Sequence, residues 1–318
     1  LWRFNKILPL GRKKNMKKLK LFTSALLASA MLSACGGGNE PTASTENIST
    51  ADINQTSESS AEATETESKQ EDLSISEQKI WEQDGISVTV TGISTDGLMG
   101  PELNLLLENN SDKDITVQAH YTAINGYMVS STMSSDIAAG KKANDSLTFS
   151  QTDLEQNGIN TIANIEFSLH IFDPESHDTL YDSELIKLNT NLAEGFTQPS
   201  DDSGEILYDE NAIKIVYKGV NSDNSIFGPE VVLYIENNSE QTITVQSRDT
   251  SVNGFMVEPS LSSEITPGNK AISGMTFMSS DLEENNITEF ETIETSFHIF
   301  NENYDTIVDT EPITITIK

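Results

Sequence analysis

Apolar residues along most of this chain recur at every second position. Ile86, Val88 and Val90 alternate with Ser87, Thr89 and Thr91, and Ile115, Val117 and Ala119 alternate with Thr116, Gln118 and His120. Leu103, Leu105 and Leu107 form another such run, as do Ile165, Phe167, Leu169 and Ile171, and Ile313, Ile315 and Ile317. A period of two places one face of an extended chain in a core and the other in water, whereas a helix repeats at about 3.6. Turn signals separate the runs: Asn109-Asn110-Ser111 and Asn237-Asn238-Ser239, then Asn125-Gly126 and Asn253-Gly254. An Asn-Gly pair suits a two-residue hairpin because both residues can take positive φ. About seven strands in about 110 residues, with no long helical stretch, predict an immunoglobulin-like β-sandwich. One helical turn is predicted at Asp153–Asn157 and again at Asp281–Asn285, with the Asp as cap and Leu154 or Leu282 plugging the sandwich end.

The pattern is written twice. Residues 100–172 align with 228–300 at a constant offset of 128 without a gap, and 36 of the 73 positions are identical. Each copy is too long for a solenoid unit, so two self-sufficient domains are expected. The chain is thus read as all-β, with a first sandwich over residues 76–191, a linker over 192–204 and a second sandwich over 205–318. The linker is short and polar, which predicts bending between the domains. An antibody-type core Trp and disulfide are absent. Trp81 precedes the first expected strand of the first copy, and Leu207 takes its place in the second.

The first 75 residues follow other rules. Lys17, Lys18 and Lys20 precede an apolar run from Leu21 to Met31, and Leu32-Ser33-Ala34-Cys35 follows. A basic start, an apolar core too short to span a bilayer and small residues before a cut predict a signal peptide over residues 1–34, with translation starting at Met16. Leu32-Ser33-Ala34-Cys35 resembles the lipobox of bacterial lipoproteins. That resemblance implies cleavage before Cys35 and acylation of its sulfur and new amino end, with palmitate-like chains holding the protein to a membrane outside the cytoplasm. Two or three acyl chains hold firmly where one binds only marginally. Residues 35–75 are rich in Ser, Thr and Glu and nearly free of large apolar groups, which predicts a disordered tether with a root-mean-square span of roughly 35 Å.

The phrases GPE-x-x-L-x-x-ENNS, ITVQ, NG-x-MV, SSDLEENNI and HIF resemble an uncharacterised repeat in secreted or membrane-tethered proteins of Gram-positive anaerobes. They are also similar to telokin-type immunoglobulin-like modules that follow lipoprotein signals. The resemblance covers nearly all of residues 80–318. It implies a fold and a location, and brings no catalytic or binding residues with it.

Charge narrows the partners. The chain has 19 basic and 50 acidic residues. Cleavage before Cys35 removes eight basic residues and no acidic one, leaving a net charge of −39. Such a surface repels nucleic acid and favours cations or basic partners, but solubility and self-spacing on an anionic cell envelope are the preferred reading of it. Cys35 is the only cysteine, so disulfides within the chain, thiolate metal clusters and cysteine nucleophiles in the sandwiches are excluded. No G-x-S-x-G, H-E-x-x-H or phosphate-cradling G-x-x-x-x-G-K occurs.

Three sets of residues remain as candidates. His170 and His298 recur at matching places but lack a second repeated histidine, which favours a structural role over a metal site. Asp178 and Asp182 match Asp305 and Asp309 in the segment D-T-x-x-D; they are the candidate calcium ligands, although a hard cation needs six to eight oxygens. Tyr127 with Met128, and Phe255 with Met256, follow the hairpin turns; packing against the neighbouring strand is the expectation, and gripping a partner the alternative. The preferred function is a non-enzymatic surface lipoprotein acting by interaction or as a spacer. The alternatives are a solute- or cation-binding lipoprotein and, more remotely, an envelope hydrolase using carboxylates.

Overall fold

The computed structural model describes residues 72–222 and 227–317, all within one compact unit spanning residues 67–318. Cys35, the signal segment and the tether as far as residue 71 lie outside the described residues. No helix among the described residues is long and apolar enough to cross a membrane.

Among the described residues the regular structure is nearly all β, and it forms two tandem β-sandwiches. The first contains β1 (Gln78–Gln83), β2 (Ile86–Ser94), β3 (Glu102–Asn109), β4 (Ile115–Ile124), β5 (Tyr127–Met128), β6 (Ser131–Thr132), β7 (Ser134–Ile137), β8 (Lys141–Phe149), α1 (Gln151–Gln156), β9 (Asn164–Phe172), β10 (Thr179–Asp182) and β11 (Ile186–Asn189). One sheet has the order β1-β2-β3-β8-β6. The facing sheet has the order β10-β9-β4-β5, with β11 also on β9 and β7 also on β4. The second sandwich repeats the plan with β12 (Glu205–Glu210), β13 (Ile213–Asn221), β14 (Glu230–Asn237), β15 (Ile243–Val252), β16 (Phe255–Met256), β17 (Ser262–Ile265), β18 (Lys270–Thr276), α2 (Ser279–Glu284), β19 (Thr292–Asn301), β20 (Thr306–Asp309) and β21 (Ile313–Thr316). Its sheets are β18-β14-β13-β12 and β16-β15-β19-β20, the latter with β17 on β15 and β21 on β19.

The alternating residues meet between the sheets. Val88, Leu105, Leu107, Val117, Phe149 and Phe167 are buried in the first core, and Ile215, Leu233, Ile235, Val245, Phe277 and Phe297 in the second. Both Asn-Gly turns take positive φ at both residues, 52° and 82° at Asn125-Gly126 and 51° and 84° at Asn253-Gly254. The glycine of each GPE phrase is fixed by space. A Cβ on Gly100 or Gly228 would collide with the carbonyl of Phe149 or Phe277, and both glycines hold φ near +140°, at 141° and 145°.

Some local expectations change. Trp81 lies within β1, an edge strand ahead of the Ile86 run, and packs against Tyr181 with ring centroids 5.7 Å apart. Asp153 sits in the first turn of α1, and the capping oxygen is that of Ser150, which accepts from the Asp153 amide at 3.3 Å. A hydroxyl one turn earlier has the shorter reach to that amide. Leu154 and Leu282 are buried as plugs. The chain is already held to the first sandwich at Asp72, whose carbonyl accepts from Asn191 Nδ2 at 3.0 Å, and Leu73 and Ile75 pack on the core.

The first asparagine of each Asn-Asn-Ser phrase proves to be a buried clamp. Asn109 is fully buried; its Nδ2 donates to the carbonyls of Lys113 at 2.7 Å and Ile137 at 2.9 Å, and its Oδ1 accepts from Ser111. Asn237 repeats these bonds with Gln241, Ile265 and Ser239. Truncation removes the buried bond to the Ile137 carbonyl and leaves Lys113 only the Ser111 hydroxyl, at about 1–3 kcal/mol for the buried group. Asn109→Ala is therefore expected to destabilise the protein by about 3 kcal/mol in urea unfolding, and the exposed neighbour change Asn110→Ala by less than about 0.5 kcal/mol. Equal effects would remove the clamp.

Candidate functional site

The two copies differ most on one sheet face. Along β3 the residues outside the core are Asn104 and Leu106; at the same places β14 has Val232 and Tyr234. Thr89 becomes Val216 and Asn144 becomes Ile272. The second sandwich thus has an apolar outer face as well as an apolar inner one. Val216 and Tyr234 are buried there, and they belong with Ile272 to the apolar cluster of the first sandwich, not to that of their own.

The hairpin of the first sandwich covers this face. Tyr127 pairs with Lys270 in the parallel sense, and the Lys270 amide donates to the Gly126 carbonyl at 2.9 Å. That one pairing joins β5 to β18, so sheets from both sandwiches run on as ten strands. Met128 packs on the second core, and its sulfur lies 3.4 Å from the Thr266 hydroxyl. The Lys270 ammonium stands 5.4 Å above the Tyr127 ring. Glu166 accepts from Asn269 Nδ2 at 3.1 Å.

The linker is fastened to the same sheet. Lys218 Nζ donates to the Ser203 carbonyl at 2.6 Å and to the Asp201 carboxylate at 2.9 Å, and Lys214 pairs with Asp202 at 2.6 Å. The Ser203 hydroxyl and Lys218 hold the Asp201 carboxyl well below its ordinary range. Bending was the expectation for so polar a linker; its acids instead find lysines on β13, and the hairpin closes the space beside it. At Tyr234, burial pushes the phenol up to about 12.

Two clefts flank the docked hairpin. One, of about 550 Å³, is bordered by Tyr127, Pro199, Lys218 and Ile272. The other, of about 390 Å³, gathers His120, Tyr121, Ser131, Glu264 and Ser273 from both sandwiches. The His120 ring stacks on His170 at 5.2 Å and meets Tyr121 edge-on at 6.1 Å. A bulge in β4 between His120 and Ala123 and a φ of 55° at Tyr121 turn that tyrosine toward Glu264. Burial lowers the His120 pKa, helped by the neighbouring His170. Burial raises Glu264, and raises Tyr121 with Glu264 adding to it. The groups make a polar, titratable groove in which the Tyr121 hydroxyl faces the Glu264 carboxylate.

The residues singled out from the sequence divide as follows. His170 Nδ1 lies 2.6 Å from Asp182 Oδ1, and His298 Nδ1 lies 2.5 Å from Asp309 Oδ1. Each pair sits directly opposite across two antiparallel strands, β9 with β10 and β19 with β20. Two of the four candidate calcium ligands are thereby engaged with histidines. Asp178 and Asp305 stand at the preceding turns, where their carbonyls accept from Asp173 and Asn301. Among the described residues no three His, Cys, Asp or Glu side chains gather as a metal site. Tyr127, 3% exposed, and Met128 pack against the second half of the same chain, whereas Phe255 and Met256 remain 50% and 67% exposed. Tyr234, Val216 and Ile272 escaped the sequence reading. For Tyr234 the signal was the unbroken run from Val231 to Ile235, where alternation lapses because both faces are covered.

Neither a protein-family model nor a curated protein matches the chain. Among solved structures it is similar to the YadV chaperone, at 15% identity over 66% of this chain and 90% of that one with a TM-score of 0.24. It is also similar to the Salmonella enterica SafA pilin in complex with the SafB chaperone, at 13% identity, 68% and 89% coverage and a TM-score of 0.21. A protein of unknown function from Porphyromonas gingivalis W83 matches at 12% identity, 68% and 89% coverage and a TM-score of 0.18. At these scores no activity or partner is inferred from the likeness.

Two outcomes follow for the joint. Tyr234→Ala opens a cavity under the hairpin and is expected to cost about 3–5 kcal/mol in chemical unfolding, as for other buried aromatics; a loss below about 1 kcal/mol would mean that the face is not covered in solution. His120 titrates in the folded chain below its ordinary value of about 6.5, so protonation favours the unfolded chain. Its contribution is whole above that value and is lost as pH falls through the lowered one. Between about pH 7.5 and 5 the melting temperature of the parent should therefore fall further than that of His120→Gln. Glu264 acts in the opposite sense in both proteins and cancels in the comparison; parallel curves would contradict the assignment.

Proposed function

We propose that this chain is a membrane-anchored extracytoplasmic lipoprotein whose two joined sandwiches work by binding or spacing and not by catalysis. The observation that carries the reading is the joint. A hairpin, a linker and an apolar sheet face together fix one sandwich on the other, which suits a module that presents surfaces at set positions. The two shared histidines are spent on cross-strand pairs with Asp182 and Asp309, which supports a structural use of these residues. The lipobox-like Leu32-Ser33-Ala34-Cys35 supplies the anchor in this reading, and the Ser/Thr/Glu-rich stretch supplies the reach. With a net charge of −39 after cleavage, partners are proteins or envelope components carrying basic groups, not nucleic acid.

Solute or cation binding is the second reading. It draws on the groove at the joint, where Glu264, Glu302 and Asp182 all bear on Tyr121. Millimolar calcium should raise the melting temperature if that groove holds the ion, and leave it unchanged under the favoured reading.

The anchor is tested in cells of the source organism. Labelled palmitate should enter the parent and not Cys35→Ser, and the variant should leave the membrane fraction. Unlabelled parent protein, or a variant that stays with the membrane, would overturn the anchoring.

A further inference from the structure

The hairpin that joins the sandwiches exists twice but is used once. The first has the Gly126 carbonyl, the Tyr127 ring, the Met128 side chain and the Glu166 carboxylate, all engaged by the second sandwich. The second has Gly254, Phe255, Met256 and Glu294 at the same four places. Phe255 and Met256 are exposed, where Tyr127 is buried. Glu294 has also lost a neighbour: Glu166 pairs with Lys187 on the adjacent strand at 3.0 Å, and Thr314 occupies that place beside Glu294.

The surface that receives the first hairpin is also repeated. Lys270 and Asn269, which meet Tyr127 and Glu166, correspond to Lys142 and Lys141 in the first sandwich. Both lysines are exposed, and Lys142 pairs with Glu108. With Lys113 across the strand end they concentrate three of the nine basic side chains of the described residues. Acids stand near the second hairpin: Glu258 follows it in the chain, the Glu289 carbonyl accepts from Asn253, and Glu294 lies opposite Ser251. The free hairpin is apolar and acidic, and the free receiving end presents three lysines, set among Glu108, Asp112 and Asp114.

We propose that copies of this chain associate head to tail, the Asn253–Met256 hairpin of one seating on the Lys141–Lys142 end of the first sandwich of the next. In that contact Phe255 lies over the Lys142 ammonium as Tyr127 lies over Lys270, and Lys141 supplies the cation that Glu294 lacks. The Lys142 amide donates to the Gly254 carbonyl. Such an interface is heterologous, joining two different patches, so it propagates into rings or filaments instead of closing as a twofold dimer. It is weaker than the internal joint, because Thr89, Asn104 and Asn144 stand where Val216, Val232 and Ile272 are covered. The contact does not depend on the lipid anchor, so the two readings fail separately.

Sedimentation velocity of residues 67–318, the compact unit that contains both cores, tests it at concentrations up to about 1 mM, the range of weak association. The parent should associate progressively as concentration rises. The double variants Phe255→Asp/Met256→Asp and Lys141→Glu/Lys142→Glu should each lower the association constant at least tenfold, with far-ultraviolet circular dichroism unchanged. Mixed together they should form one-to-one dimers and stop there, since one retains the receiving end and the other the hairpin. A parent that stays monomeric throughout would overturn the proposal, as would association that survives both variants or a mixture that shows no dimer.

Discussion

An apolar sheet face in water has to be covered, and the outer face of β13, β14 and β18 is such a face. Tyr234, Val216 and Ile272 each contribute up to about 1.5–3 kcal/mol when removed from water. A short linker already holds the cover nearby, at an effective concentration of roughly millimolar, so closure has only about 4 kcal/mol of dilution to overcome. Burial exceeds that cost. The single backbone bond at Lys270 and the β13 lysines that hold the linker acids then set register and direction. Without the apolar face these polar contacts would be exposed ion pairs, worth little each.

Duplication explains why the same hairpin has opposite fates. Each copy keeps what any copy needs to fold: the GPE glycine pressed on a carbonyl, the buried asparagine clamp, the His–Asp cross-strand pair and the leucine plug. The outer faces answer to their neighbours instead. Where the second copy is covered it has Val, Tyr and Ile; where the first copy meets water it has Thr, Asn and Leu. The groove holding His120, Tyr121 and Glu264 belongs to neither copy alone, which is why His120 and Tyr121 have no like residue in the second repeat, where Arg248 and Asp249 stand.

Much of this was legible before any coordinates. Alternation located the strands, and Asn-Gly located the hairpins, because both signals are local. The plug leucines were legible because a lone apolar residue in an acidic helical turn has one place to go. The capping serine was missed because Asp153 is itself a good cap and the choice turned on a single residue of register. The His–Asp pairing was missed although both members had been noticed, since the partners lie 12 residues apart in one copy and 11 in the other and only the strand register brings them face to face. The joint was hardest to read. It depends on the outward positions of a strand, which sequence alternation assigns to water, and only the continuous run from Val231 to Ile235 marks the exception.

Amide hydrogen exchange at Lys270 tests the joint most directly, because that N–H donates across it to Gly126 and to no group of its own sandwich. Protection comparable to that of the β18 amides paired with β14 is the predicted result. Exchange at the rate of an open loop, with those neighbours still protected, would show two sandwiches that fold side by side without docking.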